Sequence, residues 1–420
     1  MSNKISKKVM LSCFLAGCLE MYDFVIFAFL APVIHKNYLS FLDKNTGLII
    51  TYMLFAAGFL FRPLGSVIFG HIGDKYGRKK ALVISVTLMG TASLSLSILP
   101  RYEDIGIISC FLIMLIRIIQ GLSVGGEYSG AAIYAIEHSS SDKIGLIGST
   151  VLAGTTLGIL LATFISDLLQ NPDLPEYSWR FAFLLGFGLS IIGYFIRKYL
   201  GESPAFEASN QIKLKVPLLH GIRNFKKEIL ACVFLSGANN ANYYFALVFI
   251  PNYLRAETNN YTGFNSYALA FFMLILEPTF GWLSDRWNRN KILIAVCTLL
   301  GIYNLFFFDM LYNSTSVTGT IYIIVSALLL SILVASVNIF VLEIFPTNCR
   351  YSCGAFSYSL GAALFGGTTP LVCALITEHI GNKPIYIGMY ISLISVLGAM
   401  GGILILNKNK RQNNLSLQSY

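Results

Sequence analysis

Two carboxylates, Glu20 and Asp23, lie inside the first long apolar block of the sequence. Three residues apart on a helix, they share a face, where like charges repel and burial disfavours the ionised form. Such a pair titrates jointly and can take up and release a proton. The alternative is that these acids form fixed ion pairs with Arg62 or Arg117, the two basic residues that also fall inside apolar blocks.

A polar stripe in the fourth apolar block is the second feature whose residues could take part in chemistry. Arg117, Gln120 and Glu127 fall within about 80° of arc on a helix, among small residues that permit close helix packing. Arg117 could bind a ligand carboxylate or release the proton from the acids of the first block, and a static ion pair is the alternative. The residues assigned to proton coupling are Glu20, Asp23, Arg117 and Glu127.

Amide and phenol side chains are concentrated in the seventh apolar block, which is too polar to face lipid and should line a cavity. Tyrosine rings can hold a quaternary ammonium, while amides and an arginine can hold a carboxylate. Several of these side chains could instead only bridge helices. The predicted ligand-binding residues are Tyr22, Arg62, Arg117, Gln120, Asn239, Asn240, Tyr243, Tyr244 and Glu277.

Glu277 differs from the other candidates because Pro278 follows it in the eighth block. A proline kink can turn a neighbouring carboxylate toward the protein interior. Both a proton-handling and a structural role fit this position.

The elements that must position these residues are membrane-spanning helices. The 420 residues are 55% hydrophobic and 12% charged, with mean hydropathy +0.67, against roughly 25% charged residues in soluble proteins. The apolar blocks are about 20 residues long, enough to cross a membrane, and the first lacks a signal-peptide cleavage site. The twelve predicted spans are 10–35, 47–69, 81–99, 105–136, 146–169, 181–199, 228–253, 265–283, 292–311, 319–343, 353–377 and 385–406.

The basic residues explain the net charge of +9 without a nucleic-acid partner, because they lie in loops, mostly on one side. By the positive-inside rule that side, which carries both termini, is the cytoplasmic side of a bacterial inner membrane. The opposite side holds only Lys36, Lys44, Arg101, Arg180, Arg255 and Lys383. The predicted segments are an N-terminal six-helix bundle 1–199, a cytoplasmic linker 200–227, a C-terminal six-helix bundle 228–406 and a cytoplasmic tail 407–420.

An internal repeat relates the two halves. The charged segment 70–80 returns at 281–291, with Asp74 and Asp285 separated by 211 residues. Parallel repeats of six spans are one architecture of secondary transporters, with the ligand held between the halves. The charges of these loops are predicted to open and close the cytoplasmic mouth rather than to bind ligand. These gating residues are Asp74, Arg78, Glu137, Asp285, Arg289, Glu343 and Arg350.

The loop signature G-x-x-x-D-[RK]-x-G-R-[RK]-[RK] resembles that of the major facilitator superfamily. The motifs at 20–24, 61–65, 117–128, 202–204 and 343–347 are similar to those of its metabolite:proton symporter family, above all its proline/betaine transporters. The second loop departs from the signature, with Asn288 and Asn290 where the family has a glycine and a basic residue. This departure predicts a weaker second set of gate contacts.

The resemblance implies an all-α protein of twelve transmembrane helices in two bundles, a monomer in the lipid bilayer. Its implied function is the import of a small zwitterion such as proline or glycine betaine together with protons, by alternating access. No cofactor or metal is expected, and no enzymatic activity. A small carboxylate, such as a dicarboxylate or 2-oxoacid, is the alternative substrate.

Two other classes of protein fit parts of the sequence. A membrane hydrolase would use Ser123 of the G-x-S-x-G pattern at 121–125 as its nucleophile, but that motif needs a strand-to-helix turn. A channel would need a continuous pore, whereas repeated charged loops favour alternating access.

Overall fold

The computed structural model describes residues 7–138, 143–171, 173–203, 206–207, 216–257, 265–312, 316–346, 348–380 and 384–417. Within these ranges the regular structure is helical and no strand occurs. The twelve long helices are α1 Lys7–Phe29, α2 Lys44–Tyr76, α3 Arg78–Ile98, α4 Ile108–Glu137, α5 Ile144–Leu169, α6 Arg180–Lys198, α7 226–257, α8 Ser266–Ser284, α9 Arg289–Tyr312, α10 Ser316–Glu343, α11 Arg350–His379 and α12 Pro384–Leu417. Short helices lie at Ala31–Tyr38, Tyr102–Ile105 and Pro217–Asn224.

Eleven of these helices, counted over the described residues, are long and apolar enough to cross a membrane. The remaining one, α7, combines Lys226–Tyr244, a π-helical turn Phe245–Phe249 and Ile250–Glu257. Its amide and phenol side chains lower its hydropathy. They do not face lipid, because residues 231–250 are almost entirely buried. The predicted fold of two six-helix bundles, α1–α6 and α7–α12, is confirmed.

Several helix ends differ from the predicted spans. The first span was expected to reach residue 35, but α1 ends at Phe29 and the short helix Ala31–Tyr38, with a proline in its first turn, follows it. The segment 70–80 is helical almost throughout, because α2 continues to Tyr76 and α3 begins at Arg78. Only Gly77 separates them, and its φ of +112° lies where a side chain would be strained. Helix α12 likewise continues to Leu417, into the predicted tail.

The two halves meet along two pairs of helices. Helix α5 packs along α8, and α2 packs along α11. Outward faces carry exposed apolar side chains such as Phe111 and Leu393, as expected of a surface that faces lipid. The end of the molecule at which residues 199–225 connect the halves is called the linker end below.

Glycines set the distance between α2 and α4. A Cβ atom at Gly121 would collide with the backbone of Gly58, and one at Gly125 would collide with the carbonyl of Arg62. The backbones therefore approach closely, as small residues allow in membrane helices. This contact holds the helix segments that carry Arg62 and Arg117 against each other.

Candidate functional site

Charged side chains are buried in the middle of the N-terminal half. Glu20, Asp23, Arg62, Arg117 and Glu127 are each at most 1% exposed. Helix α1 supplies the first two, α2 supplies Arg62, and α4 supplies the others. Buried charges are costly in a membrane protein unless they meet partners, so their contacts indicate what they can do.

Glu20 lies nearest to Arg62 among the charges. Its Oε1 is 4.0 Å from Nη2 of Arg62, a loose ion pair. Neither carboxylate oxygen of Glu20 has a hydrogen-bond partner among the described residues. The arrangement leaves Glu20 able to exchange its contact with Arg62 for a proton.

Asp23 contacts a different helix from Glu20. Its Oδ2 accepts a hydrogen bond of 3.1 Å from the hydroxyl of Ser190 on α6, and its Oδ1 lies beside Gly186 without a hydrogen bond. The two acids that were predicted to share a face therefore turn toward α2 and α6, respectively. Both have an oxygen atom available for a proton.

Arg117 does not contact either acid of α1 in this conformation. Its guanidinium donates a 2.7 Å hydrogen bond to Oε1 of Gln120. Phenylalanine rings surround it, with centroids 4.5 Å away for Phe24, 4.6 Å for Phe27 and 5.5 Å for Phe55. Cation–π contacts of this kind stabilise a desolvated guanidinium.

Glu127 is paired with Arg197, which was not among the predicted site residues. Nη2 of Arg197 lies 2.6 Å from Oε1 of Glu127, and the arginine is 2% exposed. The sequence does carry a signal for it. Gly186, Ser190, Gly193 and Arg197 recur every three or four residues and form the buried face of α6.

Aromatic rings meet Arg62 where the two halves face each other. Its guanidinium carbon lies 5.4 Å from the ring centre of Tyr358 on α11 and 5.9 Å from that of Phe59. The Phe59 ring is 5.0 Å from Tyr244 of α7, whose hydroxyl contacts the sulfur of Met21 at 3.6 Å. Phe59 and Tyr358 were not among the predicted site residues, because an isolated aromatic residue in an apolar span gives no signal.

Two asparagines of α7 differ in their hydrogen bonding. Asn240 donates to the carbonyl of Ser236 at 2.8 Å and accepts from Tyr358 at 3.4 Å. Asn239 is 3% exposed and its Oδ1 has no hydrogen-bond partner among the described residues. Both amides lie in the C-terminal half. By contrast, the predicted binding residue Tyr22 donates to the carbonyl of Ala182 at 2.9 Å, inside the N-terminal half.

Glu277 joins the halves through α5. The hydroxyl of Thr156 donates to its Oε1 at 2.8 Å and lies 2.8 Å from the hydroxyl of Tyr243. The structure thus brings the predicted residues Tyr243 and Glu277 together, but through a threonine of the other half that the sequence analysis did not name.

Charged residues at the linker end form two similar clusters. Arg78 contacts Asp74 at 2.9 Å and Glu137 at 3.3 Å. In the other half Arg289 contacts Asp285 at 2.8 Å and also pairs with Glu343. The predicted repeat is therefore present in three dimensions. Arg350, the remaining predicted gating residue, donates to the carbonyl of Phe345 at 3.2 Å.

The second cluster is more exposed than the first. The side chain of Arg289 is 17% exposed and that of Glu343 is 35% exposed, against 2% and 1% for Arg78 and Glu137. Solvent weakens ion pairs, so the second cluster contributes less to holding its helices together. This asymmetry agrees with the departure of the second loop from the family signature.

Each loop acid also binds the first turn of a helix in the opposite half. Asp74 accepts from the amide of Ser352 at 3.1 Å and from its hydroxyl at 2.6 Å. Asp285 accepts from the amides of Gly145 at 2.6 Å and Leu146 at 3.1 Å. An acid at a helix N-terminus satisfies free amides and complements the helix dipole. These contacts join the two halves at the linker end.

The halves are also in contact at the opposite end. There the hydroxyl of Tyr267 on α8 donates to Asp167 on α5, which again joins the halves. The nearby Glu176 is exposed, and its hydrogen bond with Lys36 and the charge of Arg101 lower the pKa of its carboxyl.

Ser123, the nucleophile of the hydrolase reading, lies within α4 and not at a strand-to-helix turn. Its hydroxyl donates to the carbonyl of Ser85 at 2.6 Å. This contact bridges α4 and α3.

The arrangement places buried carboxylates and arginines in the N-terminal half, with aromatic rings from both halves around Arg62. The sequence profile of the Major Facilitator Superfamily matches residues 13–352. The glycine betaine/proline/ectoine/pipecolic acid transporter OusA of Dickeya dadantii is 32% identical and covers 94% of this chain and 82% of its own length. The proline/betaine transporter of Escherichia coli K12 is 30% identical, covering 94% and 83%.

Solved structures show the same fold. The proton:xylose symporter XylE, bound to 6-bromo-6-deoxy-D-glucose, superposes with a TM-score of 0.74 at 15% identity, over 94% of each chain. The relatives OusA and the Escherichia coli transporter confirm the resemblance to proline/betaine transporters that the motifs indicated. With this profile match and relatives aligned over nearly the whole chain, the protein belongs to the Major Facilitator Superfamily of membrane transporters.

Proposed function

We propose that this transporter imports a small zwitterion, of the kind that includes proline and glycine betaine, together with protons. The observation that carries the proposal is Arg62, which lies 4.0 Å from Glu20 and faces aromatic rings from both halves. An arginine beside aromatic faces suits a molecule with a carboxylate and an ammonium group. The relatives that transport proline and betaine support this substrate class.

The two charges of such a substrate have separate partners. Arg62 offers the guanidinium fork that a carboxylate prefers. The rings of Phe59 and Tyr244, 5.0 Å apart, offer faces for the methylated ammonium. The unpartnered amide oxygen of Asn239 on α7 adds an acceptor for an N–H group such as that of proline. Contacts from both halves would let the substrate favour the closed state.

Proton coupling follows from competition for Arg62. While Glu20 is ionised it competes with the substrate carboxylate for the same guanidinium. A proton on Glu20 removes that competition, so that protonation and substrate binding favour each other, as linkage requires. Asp23, with one oxygen atom free of hydrogen bonds, is the second proton site on α1. Arg117 and Glu127 would tune these acids through the field of their charges.

Alternating access is supported by the two loop clusters. Each connects to a helix N-terminus of the other half, so separating the halves at the linker end breaks both sets of contacts together. The distribution of Lys and Arg supports a cytoplasmic linker end with both termini on that side. Opening at the other end would require release of Tyr267 from Asp167.

The test is the uptake of labelled glycine betaine into proteoliposomes, with and without an inward proton gradient. Gradient-dependent accumulation that is lost in Glu20→Gln and in Asp23→Asn is the expected result. Uptake that is independent of the gradient would contradict the proton coupling. Absence of betaine and proline uptake, with accumulation of a dicarboxylate or 2-oxoacid instead, would replace the substrate by the alternative class.

A further inference from the structure

Glu277 is a buried acid that the proposed coupling through α1 does not use. It is 0% exposed and lies on α8, against α5 of the other half. Its Oε1 accepts the 2.8 Å hydrogen bond from Thr156. Its Oε2 has no hydrogen-bond partner among the described residues.

The hydrogen bonds around Glu277 have a defined direction. The hydroxyl of Thr156 has a single hydrogen, which is committed to the carboxyl group of Glu277. The contact of 2.8 Å between Thr156 and Tyr243 must then be donated by the tyrosine. This series of hydrogen bonds runs from Tyr243 on α7 through Thr156 on α5 to Glu277 on α8. It ends at Oε1, so Oε2 is the atom left to carry a proton.

Among the described residues, no positive charge lies beside Glu277. Helix α8 packs against α5, α10 and the π-helical turn of α7. Tyr243, just before that turn, is bonded to Thr156, and the three described ionisable groups on these elements face elsewhere. Those three are Asp167, bonded to Tyr267, Tyr322, stacked on Tyr303, and Glu343, paired with Arg289. Glu277 makes no ion pair in the described part of the chain.

An ionised carboxylate in this position would be desolvated with a single hydrogen-bond donor, which is unfavourable. The protonated acid keeps the same donor and carries no net charge. Separation of α5 from α8 would remove Thr156 and admit water, and water stabilises the ionised form. The charge state of Glu277 is therefore linked to whether the halves are in contact.

We propose that Glu277 is a further proton-binding site, located in the C-terminal half and filled when α5 and α8 close on each other. On opening, the O–H bond at Oε2 breaks and the proton passes to water on the open side. On closing, a proton from that water is taken up again. The acids of α1 and Glu277 thus load protons in different halves of the protein.

Infrared difference spectra of the full-length protein in lipid test this assignment without any substrate. A protonated carboxyl group gives a C=O stretching band that a carboxylate lacks. Subtracting the spectrum of Glu277→Gln from that of the wild type should isolate one such band at neutral pH. Thr156→Val should keep this band but move it to higher frequency, because the hydrogen bond to Oε1 is lost, whereas Thr156→Ser should restore its position.

A wild-type minus Glu277→Gln spectrum without an acid band would overturn the proposal, and so would an acid band whose position Thr156→Val leaves unchanged. Thr156→Val leaves the carboxyl group intact, so it serves as the test if Glu277→Gln fails to fold. The infrared test also does not depend on the proposed transport function. If glycine betaine uptake is absent in the wild type, that function fails, while the infrared band still decides the protonation of Glu277.

Transport gives a second readout that does rest on the proposed function. Glu277→Gln keeps the acceptor for Thr156 but cannot release a proton at this position. It should lower the number of protons carried per solute, measured from the accumulation ratio at a fixed pH gradient. An unchanged ratio would contradict a transported proton at Glu277.

Discussion

Asp74 and Ser352 lie 278 residues apart, yet one carboxylate oxygen of Asp74 accepts both the amide and the hydroxyl of Ser352. The bond connects the last turn of α2 to the first turn of α11, in the opposite half. Its counterpart connects Asp285 to the first turn of α5. Because a helix N-terminus offers free amides, an acid near a helix end of one bundle can bind the other bundle there.

Neutralising Asp74 should slow transport more than it weakens substrate binding. Asp74→Asn removes the charge that Ser352 and Arg78 contact, while the central site is unchanged. Losing a hydrogen bond to a charged group costs about 1.5–3 kcal/mol, which corresponds to roughly a ten- to hundredfold shift between conformations. Initial uptake rates over a range of substrate concentrations measure the two effects separately.

Asp285→Asn is the matched control, because it removes the equivalent charge from the more exposed cluster. Its turnover should fall less than that of Asp74→Asn. Lost binding with unchanged turnover in Asp74→Asn would contradict the gating role. So would an equal effect of the two substitutions, since the structure gives the two acids different degrees of burial.

Glu20→Gln should separate exchange from accumulation. Glutamine cannot compete for Arg62 as a charge, so exchange of substrate across the membrane should persist. Accumulation against a gradient should be lost, because the proton site is absent. Counterflow and gradient-driven uptake, measured in the same proteoliposomes, distinguish the two. Loss of counterflow together with accumulation would point to a role of Glu20 in binding or folding instead.

Much of the fold was predictable because hydropathy determines where helices cross a membrane. The repeat at Asp74 and Asp285 also predicted two similar clusters, and both are found. Helix ends were less predictable. Gly77 alone joins α2 and α3, so a segment rich in charge that suggested a loop is helical on both sides. A run of charged residues therefore does not distinguish a loop from two helix ends that meet at one residue.

The site was only partly predictable, because residue type does not give a side chain's partners. Arg117 and Arg62 both occur inside spans, yet one is surrounded by phenylalanine rings and the other lies beside Glu20. Arg197 lies next to Lys198 at the end of the sixth helix, a position where basic residues commonly reach the membrane surface. Only the small-residue face of α6, which ends in Arg197, indicated that it was buried.

Tyr244→Leu should weaken glycine betaine binding. The substitution keeps an apolar side chain but removes the aromatic face next to Phe59. A cation–π contact contributes about 0.5–2 kcal/mol, so KM should rise roughly two- to thirtyfold. Tyr244→Phe is the control and should bind betaine nearly as well as wild type, since its ring remains. Equal loss in both variants would assign the effect to the hydroxyl that contacts Met21.

Removing one member of the buried Arg197–Glu127 pair should destabilise the protein strongly. Arg197→Leu leaves the carboxylate of Glu127 buried without its cation, a change that typically costs about 3–5 kcal/mol. The double substitution Arg197→Leu with Glu127→Leu removes both charges and should recover much of that loss, because two apolar side chains of similar size can replace a buried ion pair. Thermal unfolding of the detergent-solubilised variants measures the difference. If the double variant is as unstable as the sum of the single ones, the two residues are not energetically coupled and their contact of 2.6 Å does not stabilise the N-terminal half.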